Sequence, residues 1–188
     1  EFIALQHRLA CADLFAFITL DKPPTDPTAR KLAGSGVVVP KETLNPKEFG
    51  ELVAQVAPGF TCEASGEGGL AILQEHFGRV GVLKTHPLDR QKPMVLKRQI
   101  AVPAGKKTRI EADVSHHPGC DWQFRVRVND RFAADEVISE GTTTGHWKSV
   151  KVDLTRYAGQ TITVELWNQA TGWYGEWGYW GRVDLFSE

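Results

Sequence analysis

Trp122-Gln-Phe-Arg-Val-Arg-Val128 alternates strictly: Trp122, Phe124, Val126 and Val128 are apolar, while Gln123, Arg125 and Arg127 are polar. Successive side chains of a β-strand leave the backbone on opposite sides. The pattern therefore predicts a strand with one face on a core and the other toward water, the habit of antiparallel sheets. Asn129-Asp130 follows as a hairpin turn. Further on, Val150, Val152 and Leu154 point one way in the stretch from Trp147 to Leu154. Ile162, Val164 and Leu166 repeat the pattern after the Ala158-Gly159 turn, and Trp180 to Phe186 closes the chain. Before the opening stretch, Val95 to Val102 reads as a strand, Pro103-Ala-Gly105-Lys-Lys as a turn, and Thr108 to Val114 as a strand with Ile110, Ala112 and Val114 alternating. Short strands separated by regular turn signals predict an all-β sandwich. No helical segments alternate with them, so a parallel α/β fold is disfavoured.

Ahead of residue 59 the period changes. Phe2, Leu5, Leu9, Ala12, Phe15 and Ile18 follow helical spacing. Asp21-Lys-Pro-Pro-Thr-Asp-Pro27 breaks that pattern. Residues 27–33 suit a short helix, with Asp26 as cap and Gly34 beyond its end. Val37-Val-Val39 is a short apolar run. Asn45-Pro46-Lys47-Glu48 is a strong helix start, with Asn at the cap, Pro in the first helical position and Glu reaching back. Phe49, Leu52, Val53 and Val56 then share one face until Pro58-Gly59. The division expected is a helical segment over residues 1–58, packed on the sandwich or on a neighbouring domain, and a β-sandwich over residues 59–188.

The chain has 188 residues, enough for a core of one domain or one domain with an extension. Its 22 Lys and Arg against 23 Asp and Glu give a formal charge of −1, so no global electrostatic case for nucleic acid exists. No apolar run approaches the ~18–20 residues needed to span a bilayer; the longest, Leu14 to Leu20, is far shorter. The opening Glu1-Phe2 shows no signal peptide and is expected of a processed chain, a cut-out domain or a fragment. Cys11, Cys62 and Cys120 form no C-x-x-C motif. They suit either three reduced, buried thiols or a Cys62–Cys120 disulfide with Cys11 left over.

Enzyme signatures are absent: there is no G-x-S-x-G, G-x-x-x-x-G-K-[ST], H-E-x-x-H or EF-hand loop. Ser115-His-His-Pro-Gly-Cys-Asp-Trp122 gathers metal-capable residues, but a zinc site draws four ligands from spaced positions and no second cluster exists. A strand–turn–strand corner accounts for it. Thr85-His86-Pro87-Leu88-Asp89 offers a His and a carboxylate for acid/base work. A small hydrolase built on His86, His116 or His117 with an Asp is the least favoured reading. Glu165 and Glu176 flank an aromatic loop, though a glycosidase needs its two carboxylates at a set separation. Asp113, Asp121, Asp130 or Asp184 could help hold a structural Ca²⁺ through carboxylate and carbonyl oxygens.

The composition is unusual in its tryptophans. Five of the six lie in the last 42 residues, and Trp167, Trp173, Tyr174, Trp177, Tyr179 and Trp180 fall within 14 residues. Interleaved Gly172, Gly175 and Gly178 argue for a loop between Leu166 and Trp180. Aromatic rings stack on the apolar faces of sugars while nearby amides and carboxylates take the hydroxyls. Trp173 and Tyr174, at the centre of the loop, are expected to be exposed. Trp122, Trp147, Trp167 and Trp180 are expected in the core, leaving Trp173 and Trp177 to distinguish binding from packing. The expected ligand-contacting set is Trp173, Tyr174, Trp177, Glu176 and Asn168.

From about residue 60 the chain resembles galactose-binding-like jelly-roll modules found at the ends of large secreted bacterial proteins. The resemblance rests on Gly78 to Leu88, Leu96-Lys-Arg, Val102 to Lys107, Ser115 to Trp122, Val150 to Gly159, Val164-Glu-Leu-Trp-Asn168 and Tyr179-Trp180-Gly181. It implies a jelly-roll sandwich with a non-catalytic role, most often glycan binding or domain packing, in an extracytoplasmic setting. It also implies a structural Ca²⁺ as a common companion. The main alternative is an interaction module docking onto a neighbouring catalytic or haem domain.

Overall fold

The structure, a computed structural model, describes residues 37–39 and 46–188. The helical pattern over residues 1–20, the loop of residues 21–27, the short helix of residues 27–33, Cys11 and the Asn45 cap lie outside the described residues. In chain order the elements are β1 (Val37–Val39), α1 (Pro46–Ala54), β2 (Thr61–Cys62), β3 (Leu70–His76), β4 (Arg79–Thr85), β5 (Met94–Ala101) and β6 (Thr108–His116). There follow β7 (Trp122–Val128), β8 (Arg131–Ile138), β9 (Trp147–Asp153), β10 (Thr161–Gln169) and β11 (Gly178–Ser187).

The strands form a six-stranded sheet, β1-β3-β4-β11-β6-β9, facing a five-stranded sheet, β2-β5-β10-β7-β8. The antiparallel pairs are nested: β7 with β8, β6 with β9, β5 with β10, and β4 with β11. Four nested pairs wrapped across two sheets make a jelly roll. The fold is a jelly-roll β-sandwich, as expected.

The opening stretch behaves as its pattern dictates. All four apolar residues of β7 are buried, and the three polar ones between them are half-buried on the outer face. In β10, Ile162, Val164 and Leu166 point inward. The same parity sends Trp167 outward, so it is not in the core. Its ring lies on the outer face of the five-stranded sheet, edge-on to Phe132 at 5.3 Å between centroids. Trp147 is also excluded from the inter-sheet core, because Val150 and Val152 face inward on the same strand. It is buried instead on the outer face of the six-stranded sheet, in a second cluster with Val82, Trp177 and Tyr179.

Between the sheets, Trp180 of β11 wedges against Trp122 and Phe124 of β7, with ring centroids 5.4 and 5.5 Å away. Both indoles are fully buried, and both N–H groups are satisfied. Trp122 Nε1 donates to the Ser115 carbonyl at 2.8 Å, and Trp180 Nε1 donates to Thr85 Oγ1 at 2.9 Å. A register shift between Trp180 and Arg182 lets Trp180 and Val183 both face the core.

α1 closes one end of the core through Phe49 and Val53, with Val56 just beyond it, all buried. The Val183 N–H donates to the Val56 carbonyl at 2.8 Å and ties this segment to β11. β1 pairs with β3, so residues 37–39 extend the six-stranded sheet. Cys62 and Cys120 are buried free thiols, so no disulfide joins them. Burial pushes the Cys62 thiol up to about 12, which keeps it protonated. Among the described residues no helix is long and apolar enough to cross a membrane.

Truncating the wedge removes a fully buried indole. Trp180→Ala is expected to cost about 3–5 kcal/mol in urea unfolding. Val80→Ala, at a position 79% exposed, is expected to stay within about 0.5 kcal/mol of the parent.

Candidate functional site

The strand directions bring five connections to one end of the sandwich: residues 63–69, 86–93, 117–121, 139–146 and 170–177. The aromatic loop is the last of these. At its centre Trp173 is 39% exposed and Tyr174 is 62% exposed, as their loop position predicts. Trp173 meets His86 edge-on at 5.4 Å. Tyr174 borders a shallow depression of about 370 Å³. Gly119, Cys120, Asp121, Ser139, Glu140 and Gly141 line the rest of it.

The other three residues of the expected contact set lie inside the protein. Glu176 is almost fully buried. Its carboxylate accepts the Gly172 N–H at 2.7 Å and the Thr171 N–H at 3.0 Å, closing the loop on itself. The Thr171 hydroxyl sits between the Asp121 and Glu176 carboxylates. Asn168 is fully buried at the end of β10, and its Nδ2 donates to Thr85 Oγ1 at 3.0 Å. Trp177, 6% exposed, lies under Lys84 at 4.8 Å and packs beside His86 and His117. The reason is covalent: a chain leaving one sheet and re-entering the other over eight residues must turn its flanks inward, which leaves only the apex outside. Gly175 makes the return possible. Its φ of +69° is left-handed, and a Cβ there would lie 2.2 Å from Cys120 Sγ.

Glu165, paired with Glu176 in the sequence reading, is elsewhere. It stands on the outer face of the five-stranded sheet, bonded to Lys97 and Arg127. The two carboxylates do not face one another across the loop.

Among the described residues the histidines divide between two environments. His86 is buried beneath the aromatic loop and donates Nδ1–H to the Pro87 carbonyl at 2.9 Å. Burial lowers its pKa below the usual histidine value. His76, His116, His117 and His146 gather around the tip of the β3–β4 hairpin instead. His76 stacks on Tyr179 at 3.8 Å and donates Nε2–H to the His116 carbonyl at 3.1 Å. His146 stacks on Phe77 at 3.9 Å. Trp147 Nε1 donates to the Phe77 carbonyl at 3.1 Å, pinning the hairpin to the sheet.

Among the described residues no group of three or more His, Cys, Asp or Glu is placed to hold a metal ion. The carboxylates named for Ca²⁺ are dispersed. Asp113 is bonded to Arg79 and Arg182, Asp184 to Arg182, Asp130 to Arg127, and Asp121 to the Thr171 hydroxyl.

Ser139, Glu140 and Gly141 formed no part of the expected site. The signal for them was faint: Ser139-Glu-Gly-Thr-Thr-Thr-Gly145 is a polar run without periodicity between two strands.

No family model matches the chain, and no curated protein does. Solved structures with a similar fold include a family 35 carbohydrate-binding module from an environmental isolate, at 17% identity over 68% of this chain and 86% of that one, TM-score 0.46. A cyclase from Fischerella sp. TAU is similar at 13% identity over 82% and 98%, TM-score 0.48. TmCBM61 in complex with β-1,4-galactotriose is similar at 21% identity over 57% and 70%, TM-score 0.37.

Two outcomes follow from this geometry. Glu176→Ala is expected to accelerate amide hydrogen exchange at Thr171 and Gly172 well above the parent rate, because their acceptor is lost. For His76, burial lowers the pKa from 6.5 to about 4. The fold thus favours the neutral ring, and the contribution is complete above pH 6.5 and lost as pH falls toward 4. In His76→Phe, which keeps a ring against Tyr179, the thermal midpoint should fall less steeply over that window than in the parent.

Proposed function

We propose that this chain is a non-catalytic carbohydrate-binding module, part of a larger protein acting outside the cytoplasm, which grips glycan at the loop end of its sandwich. The observation that carries this reading is the exposure of Trp173 and Tyr174 on a loop whose flanks are fixed. Exposed aromatic surface is costly unless it is used. Here Glu176 and Gly175 hold two rings outward although the same loop buries Trp177 a few residues on.

The surroundings suit a polyhydroxyl ligand. A ring supplies an apolar platform for sugar C–H groups. Asp121, Ser139 and Glu140 border the depression beside Tyr174 and can take hydroxyl groups. Asn168, Glu176 and Trp177 act by shaping the loop, and the direct contacts fall to Trp173 and Tyr174. Because the rings are pre-positioned, little ordering entropy opposes binding.

Affinity electrophoresis against plant, algal and bacterial polysaccharides tests the proposal. The parent protein should be retarded by at least one. Trp173→Ala and Tyr174→Ala should each weaken that binding about tenfold, roughly the 1.4 kcal/mol expected of an aromatic anchor. Retardation by none of them, or equal retardation of parent and variants, would sink the proposal.

A further inference from the structure

Among the described residues the β3–β4 hairpin joins its sheet only at its base. β1 pairs with β3 at residues 70–72, and β11 pairs with β4 at residues 83–85. From Leu73 to Val82 the two hairpin strands pair only with each other. Their ladder skips Gly81, whose φ of +68° is left-handed and where a Cβ would meet open space. A glycine of this kind inside a strand marks a bend. Beyond it the hairpin lies over the outer face of the six-stranded sheet. Val82, Leu73 and Phe77 there cover Trp147 and Tyr179.

The tip is pinned at several points. His76 stacks on Tyr179 at 3.8 Å and donates Nε2–H to the His116 carbonyl at 3.1 Å. Phe77 stacks on His146 at 3.9 Å, and its carbonyl accepts the Trp147 indole N–H at 3.1 Å. Arg79 reaches Asp113 at 2.7 Å and lies over the Trp147 ring at 4.3 Å. Phe77 and His146 hold their stack from left-handed backbone, with φ of +43° and +68°. Residues other than glycine adopt that conformation at a cost, which the closed tip has to meet.

We infer that the β3–β4 hairpin is a flap, hinged at Gly81 and latched by His76. Protonation of His76 releases the tip and uncovers the Trp147 and Tyr179 rings beneath it.

The surroundings of His76 oppose a proton. Burial is the main cause, and His117 and His116 add to it from the end of β6, so that the pKa is lowered from 6.5 to about 4. His146, from the 139–146 connection, stands 5.9 Å from His116. β9 and β11 present the Trp147 and Tyr179 rings, and the Tyr179 hydroxyl meets His117 Nδ1 at 2.8 Å. Lys84, at the base of β4, lies over Trp177. On the hairpin itself Glu75 favours the proton, but its carboxylate accepts the Gly78 N–H, and Arg79 is paired with Asp113. In the lifted flap the His76 ring returns to water. Closure is therefore favoured in full above pH 6.5, and the preference fades as pH falls toward 4.

The test compares hydrogen exchange of the full chain, labelled with nitrogen-15, at about pH 7.5 and about pH 5. The reporter is the Trp147 indole N–H, whose acceptor lies on the flap. The amides of β10, a strand paired on both sides, report opening of the whole fold. Corrected for the intrinsic pH dependence of exchange, indole protection should fall about tenfold or more at the lower pH, while the β10 amides keep theirs. His76→Phe, which keeps a ring against Tyr179, should remove most of that fall. Gly81→Ala, which puts a side chain in a left-handed position, should expose the indole at both pH values. The inference is overturned if indole protection is the same at both pH values, or if the β10 amides lose protection in step with it. It is also overturned if His76→Phe, shown to be folded by its amide spectrum, responds to pH as the parent does. An unchanged indole in a folded Gly81→Ala overturns the hinge.

Discussion

The sandwich is organised around one inter-sheet contact, the wedge of Trp180 between Trp122 and Phe124. Ring packing of this kind combines a large buried area with geometric preference. Each indole N–H also needs a partner once water is gone, and each has one that crosses elements. Trp122 reaches the end of β6, and Trp180 reaches the end of β4. The wedge thereby sets the separation of the sheets and the alignment of three strand ends. Thr85 continues the chain of constraint, since its hydroxyl also receives Asn168 from β10. The loop end of the protein rests on this buried polar junction.

That support explains how a glycine-containing loop can present aromatic rings. A free loop with two glycines would be mobile and would bury its rings by collapse. Here Asn168 anchors one flank, Trp177 and Tyr179 anchor the other, and Glu176 cross-links the backbone between them. The apex carries Trp173 and Tyr174 outside that frame, 39% and 62% exposed. Their exposure follows from the rigidity of the residues beneath them.

The two outer faces of the sandwich are unequal. Over the six-stranded sheet, the β3–β4 hairpin lays Phe77 and His76 on His146 and Tyr179, and Arg79 covers Trp147 at 4.3 Å. Ion pairs around Glu111 and Asp113 cover the rest. β6 is consequently buried along nearly its whole length. On the outer face of the five-stranded sheet, Glu165 pairs with Lys97 and Arg127.

The sequence by itself determined the strands β5, β6, β7, β9 and β10, the inward face of β6, β7, β9 and β10, and the helix after Pro46. Period-two burial is written residue by residue and needs no partner to be read. Hydrophobicity argued for Trp147 and Trp167 in the core, but the parity of β9 and β10 turns both rings to the outer faces. The sequence also marked an aromatic loop between Leu166 and Trp180 with Trp173 and Tyr174 at its centre, which the structure narrows to residues 170–177 because β10 runs to Gln169 and β11 starts at Gly178. Only the tertiary structure decided that β8, whose alternation is weak, is an edge strand, and that Glu176 and Asn168 face inward. It alone brought Glu165, Lys97, Arg127 and Asp130 together, and four histidines to one hairpin tip. The physical reason is separation along the chain. Lys97 and Glu165 are neighbours because β5 pairs with β10, and His76 meets Tyr179 because the hairpin bends back. A local pattern specifies which way a side chain points, whereas long-range pairing specifies what it meets.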